Sequence, residues 1–363
     1  MKIALLGDIG LIGNYDITKN RKLPQKLLQI SNYLKGFDLV VGNLETPFSS
    51  AKKTWGAKSS YICSDPDNIA ILKQLNIHAV TIANNHMFDY GQEGFNTTID
   101  TLTKNGIEWF GANGKCLKIE YGNNKLAFNG FCCYSTNPQK IAKKYGEDGI
   151  NRFNINEVLH IIKQEDKDGW LNIIAIHSGI EHVNYPSIDQ IIASRLLADS
   201  TPIIWYGHHP HVVQGIELYK DSLIAHSLGN FCFSGNSKNK NRPIINLSEN
   251  NRRGLILEIE IENNKLISHK ETVIHFDDYG EIIIHNSDSD INDYSTAITN
   301  ALVNQEDYNY NRNQQRKEYL QGRMKLRNLS WVIKRLTPRY LRLYLCNKRN
   351  IKLYAENVSK FLR

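Results

Sequence analysis

Three of the chain's twelve histidines fall within four positions, in Gly207-His208-His209-Pro210-His211. Imidazole is the commonest neutral metal ligand and titrates closest to neutral pH. Pro210 fixes the backbone between His209 and His211, and a sharp turn at Gly207 lets both rings face one ion or two neighbouring ions. A histidine-rich surface loop is the plainer alternative. Against it, ligand-capable residues recur where apolar runs stop: Asp8 after 3–6, Asn43 and Glu45 after 37–41, Asn84-Asn85-His86 after 77–83, and His177 after 171–176. Carboxylates and imidazoles together suit Mn, Fe, Zn or Mg rather than a thiolate-bound ion. Two such ions, about 3.5–4 Å apart and sharing a bridging carboxylate, can stabilise both the entering and the leaving oxygen of an in-line displacement.

Something must bring these distant groups together. The runs 3–6, 37–41, 77–83, 171–176 and 202–206 are predominantly apolar, as in strands buried on both faces. Between them, helical spacing or composition marks 23–34, 65–75, 92–104, 155–164 and 187–199. Alternating strands and helices predict an α/β domain, and in an open α/β sheet sites gather outside the carboxyl ends of the strands. Short strands are expected at 108–110, 116–121 and 125–133, a hairpin of 212–218 with 222–233, and an antiparallel pair at 255–261 and 266–276. Residues 49–60 and 235–250 read as polar loops. Helices are predicted at 293–305 and 314–336.

The 363 residues, 41% hydrophobic and 22% charged, are ordinary for a globular protein. The net charge of +7 hides an asymmetry: residues 311–363 carry +13 and residues 1–310 carry −6. The body therefore has no electrostatic case for nucleic acid, and none is expected as a partner. The basic tail, residues 323–363, has aromatics among its basic residues; it reads either as a helix docked on the body or as one lying on an anionic membrane surface. The first eight residues are too short an apolar segment for a signal peptide. No run is long enough for a transmembrane helix. The expectation is a cytoplasmic chain, peripheral at the membrane. The six cysteines form no CxxC pattern and read as reduced, packed thiols.

Taken together, Gly7-Asp8, Asn43-Leu44-Glu45-Thr46-Pro47, Ala83-Asn84-Asn85-His86 with Asp89-Tyr90-Gly91, His177 to Glu181 with Pro186, Gly207 to Gln214, and Ser227-Leu228-Gly229-Asn230-Phe231 form an ordered set over residues 1–235. In this set the chain resembles the CapA-type family of poly-gamma-glutamate capsule synthesis proteins, a branch of the calcineurin-like metallophosphoesterases. The resemblance implies a metallophosphoesterase-like β-sandwich core flanked by helices (α-β-β-α) over 1–285, followed by a basic helical C-terminal extension over 286–363.

It also implies roles. Asp8 and His211 would hold a first divalent ion, Glu45 would bridge, and Asn85, His177 and His209 would hold a second. His86 would be the general acid, suited to that task near neutral pH. Asn43, Asn84, Glu181, His182 and His208 would line the substrate side or support the ligands. The implied function is a metal-dependent, phosphoesterase-like hydrolase of capsule or surface-polymer biosynthesis, acting on a phosphorylated or polymeric small substrate beside the synthesis machinery. The alternative is a non-catalytic assembly subunit that keeps the fold and binds polymer or a membrane synthase. Two departures stand out. Gly10 occupies the position where simple phosphoesterases place a histidine, which leaves the first ion one imidazole short. Ser178 replaces an aromatic usual after the histidine matching His177.

Overall fold

The protein is described by a computed structural model that covers residues 1–52, 60–136, 138–234, 247–277, 279–285 and 289–325, with scattered positions beyond. Four parallel strands open the chain: β1 (Lys2–Gly10), β2 (Leu39–Leu44), β3 (Ala79–Thr81) and β4 (Glu108–Phe110). The chain then builds a second sheet from β5 (Leu117–Tyr121), β6 (Asn124–Cys132), β7 (Leu171–His177), β8 (Ile203–His208), β9 (Ile216–Tyr219) and β10 (Ser222–Ala225), in the order β5-β6-β7-β8-β10-β9. It returns to the first sheet with β11 (Asn230–Phe233), β12 (Arg253–Glu262), β13 (Lys265–Phe276) and β14 (Ile282–His285). That sheet runs β14-β13-β12-β1-β2-β3-β4.

Alternation along the strands separates the layers. Ile3, Leu5 and Val41 meet Phe128, Ile173 and Tyr206 between the two sheets. Ala4, Leu6 and Val40 point the other way. They pack under α1 (Leu23–Lys26), α2 (Leu28–Leu34), α3 (Ile69–Gln74) and α4 (Gly91–Lys104). The outer face of the second sheet, with Ile174, Trp205 and Ile224, is covered by α5 (Ile155–Lys167) and α6 (Ile188–Ser200). The result is the expected α-β-β-α sandwich. Local capping fixes the helix starts: Asn154 accepts from the amides of Asn156 and Glu157, and Ser187 forms a capping box with Gln190. α7 (Ser289–Asn300) and α8 (Gln305–Lys325) follow. No helix among the described residues is long and apolar enough to cross a membrane.

Several local expectations change. The helix read over 23–34 is two, interrupted at Leu27, whose ψ of 2° lies outside the helical range. The strand read over 222–233 is two strands in different sheets. β10 pairs with β8 and β9, then Ser227-Leu228-Gly229 crosses the sandwich and β11 pairs in parallel with β1. Gly207 does not turn the chain; it lies inside β8, where a Cβ would stand 1.8 Å from the His226 carbonyl oxygen. The closing helices start earlier than the expected 293 and 314, at Ser289 and Gln305, and α7 ends at Asn300; most of 326–336 lies outside the described residues. The loop at 235–250 and the basic tail lie mostly outside the described residues, as does most of 49–60. The described cysteines are free thiols, as expected.

Candidate metal centre

β1, β2, β3, β7 and β8 are parallel within their sheets, and their carboxyl ends deliver Asp8, Asn43, Glu45, Asn84, Asn85, His177 and His208 to one edge of the sandwich. β12 pairs with Lys2 to Leu6 of β1, while β11 takes over at Asp8 to Gly10 across a register shift. A bulge of this kind re-aims a side chain.

Asp8 is fully buried and contacted by four groups. Asn43 Nδ2 donates to Oδ1 at 2.7 Å, and the His209 amide donates to Oδ2 at 3.1 Å. His208 Nδ1 lies 3.3 Å from Oδ1 and His211 Nδ1 3.3 Å from Oδ2. Burial works against the charge, but His208 and His211 hold the carboxyl well below the usual range.

Glu45 Oε1 is the hub. It stands 3.6 Å from His211 Nε2, 3.9 Å from His177 Nε2 and 3.9 Å from His86 Nε2. Two groups of ligand atoms form around it, each mutually within 4.8 Å: Glu45, His177 and His209, and Asp8, Glu45 and His211. Asn85 Oδ1 lies 3.0 Å from His177 Nε2, beside the first group. His86 and His211 are 12% exposed, whereas Asp8, Glu45 and His177 are at 0–1%, so the site opens between His86 and His211.

The turn after β8 sets the imidazoles apart. His209 and His211 carry φ of +95° and +56°, the left-handed region. For residues other than glycine such conformations cost about 1–3 kcal/mol each and gather at functional sites. His208, still in the strand, points inward and is buried beside Asp8 and Tyr206. The three adjacent histidines thus meet different surroundings. Burial, with the neighbouring His209, keeps the His177 imidazole well below its usual range; burial also brings His209 down to about 4. Both are neutral at pH 7. His211 is pushed up to about 10, because the Glu45 and Asp8 carboxylates overcome its burial.

The donor set fits a divalent ion. It combines carboxylate and neutral imidazole, and His209 Nδ1 is buried with no hydrogen-bond partner among the described residues. Residues 2–235 match the family described as Bacterial capsule synthesis protein PGA_cap, nearly two thirds of the chain.

The chain belongs to this family.

Two relatives are the PGA biosynthesis protein CapA of Bacillus subtilis and the capsule biosynthesis protein CapA of Bacillus anthracis. The first is 28% identical over 64% of this chain and the second 29% over 71%. The matches span 63% and 66% of those proteins' own lengths, under two thirds of each. A probable polyglutamine synthesis accessory protein of Mycobacterium tuberculosis is 23% identical over 53% of this chain and 54% of its own. Among solved structures, a hypothetical protein from Thermus thermophilus superposes with a TM-score of 0.46 at 15% identity, covering 75% of this chain and 98% of that one. A 5'-nucleotidase precursor from the same organism gives 0.41 at 12%, covering 84% and 59%. Scores this low carry no weight for function.

The PGA_cap match frames the remaining neighbours of the site. Asn43 and Asn84 are buried and structural in their bonding: Asn84 Nδ2 donates to Asn43 Oδ1 at 3.1 Å and to the Leu44 carbonyl at 2.8 Å. Two residues of the ordered motif set that were given no ligand role stand next to imidazoles. Asp89 Oδ2 lies 2.6 Å from His86 Nδ1, and Asn230 Oδ1 lies 2.9 Å from His211 Nδ1. A carboxylate three positions after a strand-end histidine was the available signal for Asp89; for Asn230 it was its place in the Ser227-Leu228-Gly229-Asn230-Phe231 segment, which did not say which imidazole, nineteen residues away, it would meet. A Cβ on Gly10 would meet the Phe233 ring at 2.5 Å, and that ring packs on His211 with centroids 4.8 Å apart. The space a histidine there would need is filled by an aromatic side chain. Ser178 Oγ accepts from Gln190 Nε2 at 3.0 Å, tying the loop after β7 to α6.

Proposed function

We propose that the chain is a metal-dependent hydrolase of the phosphoesterase type, acting in capsule or polyglutamate-type polymer synthesis alongside its machinery. The observation that carries this reading is the position of Glu45, whose Oε1 faces three imidazoles from different strand ends. Glu45 would be shared by two ions, with Asp8 and His211 on one side and Asn85, His177 and His209 on the other. When bound, such ions supply Lewis acidity toward a phosphoryl oxygen. The chain's own groups do the rest. His86 holds a proton at Nε2 toward the site for the leaving oxygen, and Asp89 accepts from Nδ1–H to orient the ring. Asn230 fixes the His211 tautomer by accepting from its Nδ1–H, leaving Nε2 toward Glu45.

The test is turnover of a generic phosphomonoester and phosphodiester by the purified chain, with bound metal counted by mass spectrometry before and after addition of Mn or Zn. No stoichiometric metal and no turnover gained would sink the reading.

Loading should be proton-coupled. Without an ion, His211 is raised to about 10 and so is protonated at neutral pH. A ligating Nε2 must give up that proton. Its raised value also means that its attraction to Asp8 and Glu45 stabilises the metal-free fold fully below about pH 6.5, and that this contribution is lost as pH rises through about 10. Near pH 7, binding is expected to release about one proton, with affinity rising as pH rises. Calorimetric titration in buffers of different ionisation heat reads this directly; a heat independent of buffer would contradict it.

A second reading rests on Phe233, which fills the space beside Gly10. In it the chain is a non-catalytic assembly subunit, in keeping with the accessory role named for the mycobacterial relative. Capsule formation that survives loss of metal in His209→Ala would favour it.

A further inference from the structure

One wall beside the opening at His211 is assembled from two distant parts of the chain. Glu181 and His182 lie in the loop after β7, and Tyr319 lies on α8, well beyond the residues that match the family. Tyr319 Oη donates to Glu181 Oε2 at 2.6 Å. Its ring lies on that of His182, with centroids 4.7 Å apart and planes 28° apart. The His182 ring in turn stands 6.5 Å from that of His211, and its amide donates to the Pro210 carbonyl at 2.7 Å, inside the histidine turn. His182 holds a left-handed φ of +61°, so its placement is imposed rather than relaxed.

The same helix grips the rest of this loop. Tyr308 Oη donates to the Pro186 carbonyl at 2.8 Å, Arg312 Nε to the Tyr185 carbonyl at 3.3 Å, and Gln315 Oε1 accepts the Asn184 amide at 2.9 Å. Positions 308, 312, 315 and 319 follow the spacing of one helical face. Of these four, only Tyr308 joins an apolar cluster. A helix serving merely to cover a core presents aliphatic side chains. This face presents hydroxyl, guanidinium and amide groups to one loop, and directed bonds fix position more than they bury area.

We infer that Tyr319 is a positioning residue that holds Glu181 and His182 as a wall of the substrate pocket, so that the C-terminal helix helps select the group attached to the reacting centre. This rests on the hydrolase reading above. The stacked rings offer a flat face and Glu181 a hydrogen-bond acceptor. The wall therefore suits an attached group with a planar or C–H-rich face and a hydroxyl or N–H donor. Burial opposes ionisation of Glu181, but His209 and the Tyr319 hydroxyl bring it down to about 2, so the acceptor is charged at neutral pH.

The test uses the metal-loaded full chain and the variants Tyr319→Phe, which keeps the stack but not the hydroxyl bond, and Tyr319→Ala, which loses both. In Tyr319→Phe, KM for 4-nitrophenyl phosphate should rise about tenfold, the size expected for losing one charged hydrogen bond, and in Tyr319→Ala, which loses the stack as well, by more, with kcat within about twofold in both. Metal content and inhibition by inorganic phosphate, which lacks an attached group, should not change. The Kd of phenylphosphonate, read by calorimetry without turnover, should rise in parallel with KM. If Tyr319→Ala does not fold, judged by thermal melting, Tyr319→Phe carries the test. Turnover with KM and Kd unchanged in the variants overturns the inference alone, and so does a loss of metal that tracks the rise in KM. Absence of turnover with Tyr319-dependent phenylphosphonate binding overturns the hydrolase reading alone. A wild type that neither turns over nor binds overturns both.

Discussion

Glu45→Gln is expected to empty both ion positions at once. The substitution keeps the size of a fully buried side chain, but replaces the charged oxygen that faces His86, His177 and His211. Loss of a residue that only supports a ligand commonly costs 10–100-fold in metal affinity, so loss of a shared ligand should cost more than about 100-fold. Removing the carboxylate also withdraws the first of the attractions that keep His211 protonated without an ion. Metal per chain should fall below a tenth of the wild-type value, and turnover with it, while far-UV circular dichroism stays unchanged. Asp8→Asn provides the comparison. Asp8 belongs to one ligand group only, so this variant should keep the ion beside His177 and His209. Equal metal loss in the two variants would show that Glu45 is not shared.

The second large effect is at His86. Its Nε2 is on the exposed side of the site, 3.9 Å from Glu45, and its Nδ1 is engaged by Asp89. His86→Ala should lower kcat by about 10²–10⁴-fold, the usual contribution of a positioned general acid. Bound metal should persist, because neither group of ligand atoms includes His86. Asp89→Asn should act in the same direction and more weakly. Asp89 Oδ2 also accepts the Ile62 amide at 3.1 Å, so that variant needs a melting curve beside its kinetics. Metal lost in proportion to activity in His86→Ala would make the imidazole a ligand instead.

Much of this was legible along the chain because parallel strands are buried on both faces. Their sequences are mostly apolar, and ligand-capable residues gather where the apolar runs stop. Asp8, Asn43 with Glu45, Asn84-Asn85-His86, His177, and His209 with His211 could be named as candidates in this way, the family resemblance chose Glu45 and Asn85 among them as ligands, and the fold brings them to one edge. Local reading failed where two sheets share a pattern. Residues 222–233 carry an apolar run at each end with His226 and Ser227 between, and nothing in that pattern says that Ser227-Leu228-Gly229 crosses from one sheet to the other. That crossing places β11 beside β1 and so sets Asn230 and Phe233 against His211.

The sequence by itself determined which side chains could do chemistry, that they sit at strand ends, and the order of the elements. These follow from residue type and short-range periodicity. Only the tertiary structure decided what surrounds them: Asn230 against His211, His208 turned inward beside Asp8, Phe233 in the space beside Gly10, and Tyr319 brought to Glu181 across 138 residues. Such contacts depend on how sheets and helices close on one another, and that closure leaves no local mark in the chain.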